Sequence, residues 1–265
     1  MSAPVRDWNA DAYHRVSGPQ VAMAAAVLDR LELKGDETVL DAGCGSGRVT
    51  RLLLDRLPHG RVIAVDASPE MLARARVELA GLPAHVRASD LAELRLAPGE
   101  QVDAVFSNAV IHWVGDHDAL FIALATALRP GGRLSAQCGG EGNVRELQEL
   151  AEATIDDAGL RERFGGWKRP WNFQPAGATA QRLRAAGFVE VECWTEPRRV
   201  EPQHPRDFLE AVCLGPYLAR LDRADQPAFV DAVLAGLGEP MGFDYVRLNM
   251  VARRGNSVSC TPRSR

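Results

Sequence analysis

The stretch VLDAGCGSGRVTRLL, Val39 to Leu53, decides how this chain is read. An aliphatic run ends in an acid, Asp41. Glycines follow at alternate positions, Gly43, Gly45 and Gly47, and apolar residues then recur at helical spacing through Val49, Leu52, Leu53 and Leu57 until Pro58 stops the pattern. A short run of continuous apolar character reads as a strand buried on both faces, and glycine lets the backbone turn tightly with no side chain between it and a ligand. In an open parallel sheet, ligands sit beyond the C-terminal ends of the strands, and the first strand-to-helix turn is the usual contact.

Two ligand classes suit such a turn, dinucleotides and S-adenosylmethionine, and they differ in charge. A dinucleotide fingerprint places glycine at the first, third and sixth positions. Here the sixth position is Arg48, and the third glycine arrives one residue early. A carboxylate at Asp41 repels a pyrophosphate but suits the ammonium group of a methionine moiety. Asp66, closing the next aliphatic run RVIAVDA, stands where an acid accepts hydrogen bonds from both ribose hydroxyls. Asp90, in ASDL, has two readings of equal weight. It caps a helix, or it receives an adenine amino group with the backbone of Leu91 facing the ring.

Outward from the turn, strands alternate with helices. A first helix over Pro19–Leu31 precedes TVLDAG. RVIAVDA leads to a helix capped by Ser68, with Pro69 at its first position and Gly81 at its close. AHVRAS is a weaker third strand and VDAVFSNAV a strongly apolar fourth. A helix from about Asp116 to Leu128 ends at RPGG before RLSAQC. This alternation implies parallel pairing and right-handed crossovers, a doubly wound Rossmann-like α/β sheet. After Gly140 the rhythm changes. Asn143 with Glu146 resembles a capping box opening a helix, an aromatic loop RFGGWKRPWNFQPAG follows, and a short helix leads to FVEVECWTE. Helical patterns around Phe208–Leu221 and Phe229–Leu237 precede FDYVRLNMVARR, which is free to lie antiparallel to the strand before it. The chain reads as one domain over 1–254, with an arm and helix in 1–35, a cofactor-binding half in 36–140, helical cap segments in 141–180 and 203–240, and a polar tail, 255–265, expected to fray.

The bulk properties set limits. With 265 residues, 46% of them hydrophobic and 25% charged, the chain is long enough for a core that needs no staples. A net charge of -4 argues against nucleic acid as the main partner and towards a small molecule. Cys44, Cys138, Cys193, Cys213 and Cys260 show no metal spacing, so no metal is expected, and the N-terminus reads as lacking a secretory leader. No apolar run approaches the roughly 18–20 residues needed to span a bilayer. A cytoplasmic setting without membrane contact is therefore expected, and oligomeric state is not legible.

VLDAGCGSG, VIAVDASPEML, ASDL, VDAVFSNAVIHWV and LRPGGRLSAQ occur in the order and spacing of class I S-adenosylmethionine-dependent methyltransferases, and the resemblance covers roughly Thr38 to Cys138. It implies a seven-stranded sheet with the last strand antiparallel and a helical cap inserted in the C-terminal half. It also implies that S-adenosyl-L-methionine is the cofactor and S-adenosyl-L-homocysteine the product. Asp41, Gly43, Gly45 and Gly47 then line the methionine end and Asp66 holds the ribose. Ala67 and Met71 flank the adenine, Asp90 binds its amino group, and Asn108, Ala109 and Val110 lie under the sulfonium. DWNADAY, SNAVIHWV and YVRLNMVARR further resemble the trans-aconitate and juvenile-hormone-acid type of small-molecule carboxyl methyltransferases.

For the acceptor, the chemistry separates the possibilities. Methyl transfer from a sulfonium is an in-line displacement, so the protein chiefly aligns the reacting atoms and excludes water. A carboxylate is already ionised at neutral pH, whereas a hydroxyl or amine usually needs a base. The favoured reading has Trp113 or His112, with Gln20 from the first helix, orienting an acceptor carboxylate. The alternatives are O- or N-methylation with His112 as base, and, from another class, a nicotinamide-dependent oxidoreductase. Trp8 and Tyr13 form either a lid or an anchored arm. Trp167, after two glycines, is read as lining the acceptor pocket and Trp171 as packing. Arg145, Arg161, Arg163, Lys168, Arg169 and Arg247 are equal candidates for pairing an anionic acceptor, and a buried carboxylate would require one of them.

Overall fold

In the computed structural model, residues 18–238 and 241–256 are described, and the expected alternation is present. Helix α1 (Gly18–Asp29) precedes β1 (Thr38–Ala42), α2 (Arg48–Leu54), β2 (Arg61–Asp66), α3 (Pro69–Glu78), β3 (Ala84–Ala88), β4 (Val102–Asn108), α4 (His117–Ala127) and β5 (Leu128–Gly139). Local chemistry sets the boundaries. Ser68 Oγ accepts the Met71 N–H at 3.3 Å with Pro69 at the helix start, and Asp116 Oδ1 accepts the Ala119 N–H at 2.9 Å to open α4.

Beyond Gly140 come α5 (Arg145–Asp157), α6 (Ala176–Ala185), β6 (Phe188–Val200), α7 (Pro205–Phe208), a π-helical turn (Leu209–Cys213), α8 (Gly215–Leu218), α9 (Gln226–Gly236) and β7 (Phe243–Arg254). The seven strands form one sheet in the order β3-β2-β1-β4-β5-β7-β6. Strands β1 to β5 pair in parallel, while β7 runs antiparallel to both β5 and β6. The order reverses between β1 and β4, which opens a crevice at their C-terminal ends.

Both faces are covered. Leu40, Val105, Leu134 and Met250 pack on Phe121 and Leu124 of α4 and Leu183 of α6. On the other face Val39, Ala64 and Phe106 meet α1, α2 and α3 through Leu28, Leu53 and Leu72. A further cluster joins Leu147 and Ile155 of α5, Phe208, Tyr217 and Phe229 to Phe243 and Tyr245 of β7, so the cap is built onto the last strand.

Two local expectations are corrected. Asn143 does not cap α5, because its Oδ1 accepts the Val246 N–H of β7 at 3.1 Å and Val144 stands before the helix at φ +49° with no side-chain cap bond. The continuous helix expected over Phe208–Leu221 is broken into α7, the π-helical turn and α8, with Pro216 near the start of α8. Strand β6 also runs past Glu196 through Pro197 to Val200, which the sheet tolerates because β6 is an edge.

Candidate active site

The glycine turn divides its work. Gly43 and Cys44 both donate their N–H to Val65 O, at 2.8 and 2.9 Å, tying the turn to β2. At φ +91°, a Cβ on Gly43 would lie 2.3 Å from Val110 Cγ2, and one on Gly47, at φ +84°, would press on Ala75 and Leu79. Both are therefore glycine for packing as well as for conformation. Gly45, at φ +52°, differs: a Cβ there would meet nothing within 4 Å, so the middle of the turn faces open space. Its N–H donates to Asp66 Oδ2 at 2.8 Å, and the Ser68 N–H donates to Oδ1 at 2.9 Å. That amide is committed to a carboxylate, which disfavours a phosphate at the same point.

The acids are tuned by burial. Asp41 is 1% exposed and accepts the Thr50 hydroxyl at 2.6 Å. Burial pushes its carboxyl up to about 7 against the Thr50 bond, and the charge of Asp66 adds to the rise. Asp66 is also raised by burial, opposed by the N–H groups of Ser68, Gly45 and Ala67. Asp90 Oδ1 accepts the Ala92 N–H at 2.8 Å and caps the turn Leu91–Glu93, so the capping reading holds, whatever else that carboxylate binds. Leu91 and Met71 are buried nearby in the chain, with Ala67 partly exposed.

The end of β4 is strained. Ala109 adopts φ +62°, unusual for a residue with a side chain, and its N–H donates to Gln137 O at 2.7 Å. Asn108, Ala109 and Val110 are each partly exposed there. His112 follows, 7% exposed, with its Nδ1 accepting the Gly139 N–H at 3.1 Å. Burial, then the positive charge of Arg247 and the proximity of His117, holds the ring well below its ordinary range. The imidazole is therefore neutral, its one ring lone pair is engaged, and Nε2 carries the proton.

Aromatic rings continue from this point into the cap. Trp113 and Phe173 lie 5.3 and 5.5 Å from His112, and Trp113 is 5.7 Å from Trp171. Trp171 stacks on Phe173 and reaches Tyr217 at 5.9 Å, while Trp167 contacts Tyr217 at 5.0 Å and Phe164 at 5.5 Å. Trp171, rather than Trp167, thus stands nearer His112 along this chain of rings. Gln20 falls in the first turn of α1 with its side chain outside the described part, and Trp8 and Tyr13 lie outside the described residues.

Of the six basic candidates, five are exposed. Arg161 pairs with Glu152 and Asp156, Arg163 with Asp222 and Asp225, and Arg169 bonds Gln148. Arg247 alone among the six is buried, at 3% exposure. Sequence reasoning missed its neighbours Gln137 and Asn249, both buried. The available signal was a polar amide inside each of the apolar runs RLSAQC and LNMVA. No helix among the described residues is long and apolar enough to cross a membrane.

Comparison with known proteins agrees with this geometry. Residues 39–132 match a family described as a methyltransferase domain. A trans-aconitate 2-methyltransferase of Methylobacterium nodulans is 32% identical over 270 residues, covering 94% of this chain and 98% of that protein. One from Acidovorax ebreus is 31% identical over 272 residues, covering 94% and 99%. Among solved structures, phosphoethanolamine N-methyltransferase 2 of Haemonchus contortus in complex with S-adenosyl-L-methionine superposes with a TM-score of 0.63 at 21% identity, covering 93% of this chain and 56% of that one. Sheet order, glycine turn and these relatives define a class I S-adenosylmethionine-dependent methyltransferase acting on a small molecule. Within that class, the chain belongs to the trans-aconitate 2-methyltransferase family. The nicotinamide-dependent alternative is thereby set aside.

Proposed function

We propose that the chain methylates a carboxylate oxygen of a small organic acid. One observation carries the reading: the histidine at the reacting face is a hydrogen-bond donor whose only ring lone pair is held by Gly139. Such a group orients an acceptor that is already ionised, and it does not deprotonate a hydroxyl or an amine. The relatives named for trans-aconitate, itself a polycarboxylate, support the same acceptor class.

The residues fit the cofactor. The space in front of Gly45 admits a ligand to the turn, and the acids Asp41, buried, and Asp66, partly buried, suit a cation where they would repel a diphosphate. In this proposal Asp41 faces the methionine ammonium and Asp66 accepts from the ribose hydroxyls. Ala67, Met71, Asp90 and Leu91 surround the adenine, and Asn108 to Val110 floor the sulfonium. S-adenosylmethionine supplies an electrophilic methyl group and leaves as S-adenosylhomocysteine. His112 Nε2–H and the Trp113 indole N–H hold the acceptor carboxylate in line, and the rings of Trp171 and Phe173 exclude water from it. A cytoplasmic setting belongs to the same proposal and is supported by the free thiols at Cys44, Cys138 and Cys193.

The test is transfer of labelled methyl from S-adenosylmethionine to a panel of acids, phenols and amines, followed by mild alkali. A methyl ester releases its label as methanol. Label that resists alkali on a phenol or amine, with the acids unreactive, overturns the reading.

A further inference from the structure

We propose that Asn172 is a positioning residue for methyl transfer: it clamps the turn that carries His112, and through that turn it sets where the acceptor is held. The inference rests on the reading above, in which His112 orients the acceptor, and extends it to a residue that acts through His112.

The turn needs support from outside. Ile111–Trp113 is a single 3-10 turn entered through Ala109 at φ +62°, and its own bonds run from Trp113 N–H to Val110 O at 2.8 Å and from Val114 N–H to Ile111 O at 3.0 Å. So short a turn holds its shape poorly by itself and leaves its last carbonyl groups without partners inside it. They are met from two sides. His117 Nε2–H donates to Ile111 O at 2.9 Å. The Asn172 backbone N–H donates to His112 O at 2.8 Å, and its side-chain nitrogen donates to Val114 O at 3.1 Å and to Gly115 O at 3.0 Å. His112 is thus fixed at both ends, its ring by Gly139 and its carbonyl by Asn172.

The partners settle which way the amides face. A carbonyl oxygen only accepts, so the Asn172 nitrogen must face Val114 and Gly115, and its oxygen then accepts from Gln174 Nε2 at 2.5 Å. Gln174 Oε1 in turn accepts from Arg182 Nη1 at 2.9 Å, a group that only donates. The chain has one polarity, from the Arg182 guanidinium of α6 through two amides to the turn, and each bond polarises the next. Arg182 also pairs with Asp118 of α4 at 3.4 Å, so the clamp joins α6, the aromatic loop and the start of α4.

The same segment brings aromatic rings to the site. Trp171 and Phe173, on either side of Asn172, stack on each other at 6.1 Å and reach Trp113 and His112 at 5.7 and 5.5 Å. Phe173 lies over Gly139, where an added Cβ would come within 2.5 Å of its Cε1. Gln174 bridges to Gly140, and its carbonyl accepts the Glu141 N–H at 3.1 Å, which ties the segment to the end of β5. Apolar burial is non-directional, whereas hydrogen bonds fix distance and angle. Asn172 rather than the rings therefore sets the register between cap and crevice, with the precision that in-line transfer requires.

The test is a double-mutant cycle on kcat with trans-aconitate as acceptor: wild type, Asn172→Ala, His112→Ala and the double variant. S-adenosylmethionine affinity by calorimetry and the thermal midpoint are read in parallel. Asn172→Ala should lower kcat by about 5- to 50-fold when His112 is present and by less than about threefold once it is gone, with cofactor affinity within about twofold of wild type. A residue that only holds the fold together would cost the same factor in both backgrounds. That result, an unchanged kcat, or a loss confined to KM or to cofactor affinity overturns the assignment. Asn172→Asp keeps the size of the side chain and the bond to Gln174 but presents an oxygen to two carbonyls. It should lose at least as much as the alanine variant, and it supports the same cycle should that variant not fold; wild-type kcat in Asn172→Asp overturns the assignment as well. No transfer to trans-aconitate by wild type sinks the carboxyl reading and this inference with it, whereas an active wild type with equal losses in the two backgrounds sinks Asn172 alone.

Discussion

Gly139 and His112 meet through a backbone N–H of β5 donating to the ring Nδ1 at 3.1 Å, and this one bond decides what the histidine can do. With Nδ1 occupied and the ring held well below its ordinary pKa by burial, then by Arg247 and His117, only Nε2–H remains to act. At saturating cofactor and acceptor, kcat should therefore be flat from pH 6 to 9. His112→Ala should lower kcat by about 10- to 100-fold, as expected for the loss of one hydrogen bond to a charged group, with no change in the shape of the profile. Stopped-time assays across that range provide the check. A unit-slope limb near pH 6–7 in wild type that vanishes in the variant would establish a general base instead.

Asp41 predicts a different pH effect, one on binding. Its carboxyl is raised to about 7, so the free protein binds a proton there below neutrality, whereas a cationic cofactor favours the carboxylate. S-adenosylmethionine affinity should rise by up to tenfold per pH unit below about 7 and level off above it, with proton release on binding below the plateau. Folding responds with the opposite sign. A raised acid stabilises the fold below its unfolded pKa, and this contribution is lost as pH rises through about 7. Asp41→Asn should accordingly raise the thermal midpoint of the ligand-free protein at pH 8 by roughly 2–8 °C while weakening cofactor binding. Calorimetry in buffers of different ionisation enthalpy measures the proton. No release at pH 6.5 would remove Asp41 from contact with the cofactor.

The two faces of the glycine turn can be separated by alanine. At Gly43 the added methyl collides with Val110 at 2.3 Å on a backbone at φ +91°, and a stability loss of about 3–5 kcal/mol is expected from overpacking and strain together. Adding Val110→Ala should return about 1–3 kcal/mol of it. At Gly45 there is room, so Gly45→Ala should cost the fold only about 1–2 kcal/mol of backbone strain while intruding on the cofactor. Urea unfolding reads the first two variants, and cofactor affinity reads the third. Failure of Val110→Ala to recover any stability would mean that the clash is not what excludes a side chain at Gly43.

The parallel half of the sheet was legible because β1, β2 and β4 are buried on both faces and so read as uninterrupted aliphatic runs, each closed by a polar residue, Asp66 and Asn108 among them. Strand β7 was legible in FDYVRLNMVARR although charged residues interrupt it, and only its centre, Arg247 to Met250, is buried without a break. What escaped depends on partners distant in sequence. Asn143 looked like a cap because Glu146 follows it, yet its oxygen is taken by Val246, 103 residues away. Where the helix breaks after Phe208, that ring packs on Phe243 and Tyr245, partners distant in the chain, and only Pro216 marks the break locally. Arg247 could not be told from Arg161 or Arg163 until the fold brought Glu152, Asp156 and Asp222 to the latter two and buried the first. Which acid meets which arginine is a tertiary property.

Glu37 allows stability to be varied at the edge of the sheet remote from the crevice. It enters β1 at the N-terminal end, accepts the N–H groups of Lys34 at 2.8 Å and Gly35 at 2.9 Å, and binds Arg133 of β5 at 2.7 Å. Burial works to raise its carboxyl, but those N–H groups and the Arg133 guanidinium outweigh it and hold the carboxyl below the usual glutamate range. A depressed acid stabilises the fold above its unfolded pKa, and the contribution is lost as pH falls through the folded value. Glu37→Gln should therefore destabilise the protein by about 1.5–3 kcal/mol at pH 7, the scale of charge-assisted hydrogen bonds, and the difference from wild type should shrink as the buffer is taken below about pH 4. Cofactor affinity should be unchanged, since the substitution lies at the opposite end of β1 from Asp41. Urea titrations at pH 7 and pH 3.5, paired with calorimetry at pH 7, provide the check. A destabilisation that is the same at both pH values would show that Glu37 acts through shape rather than through its charge.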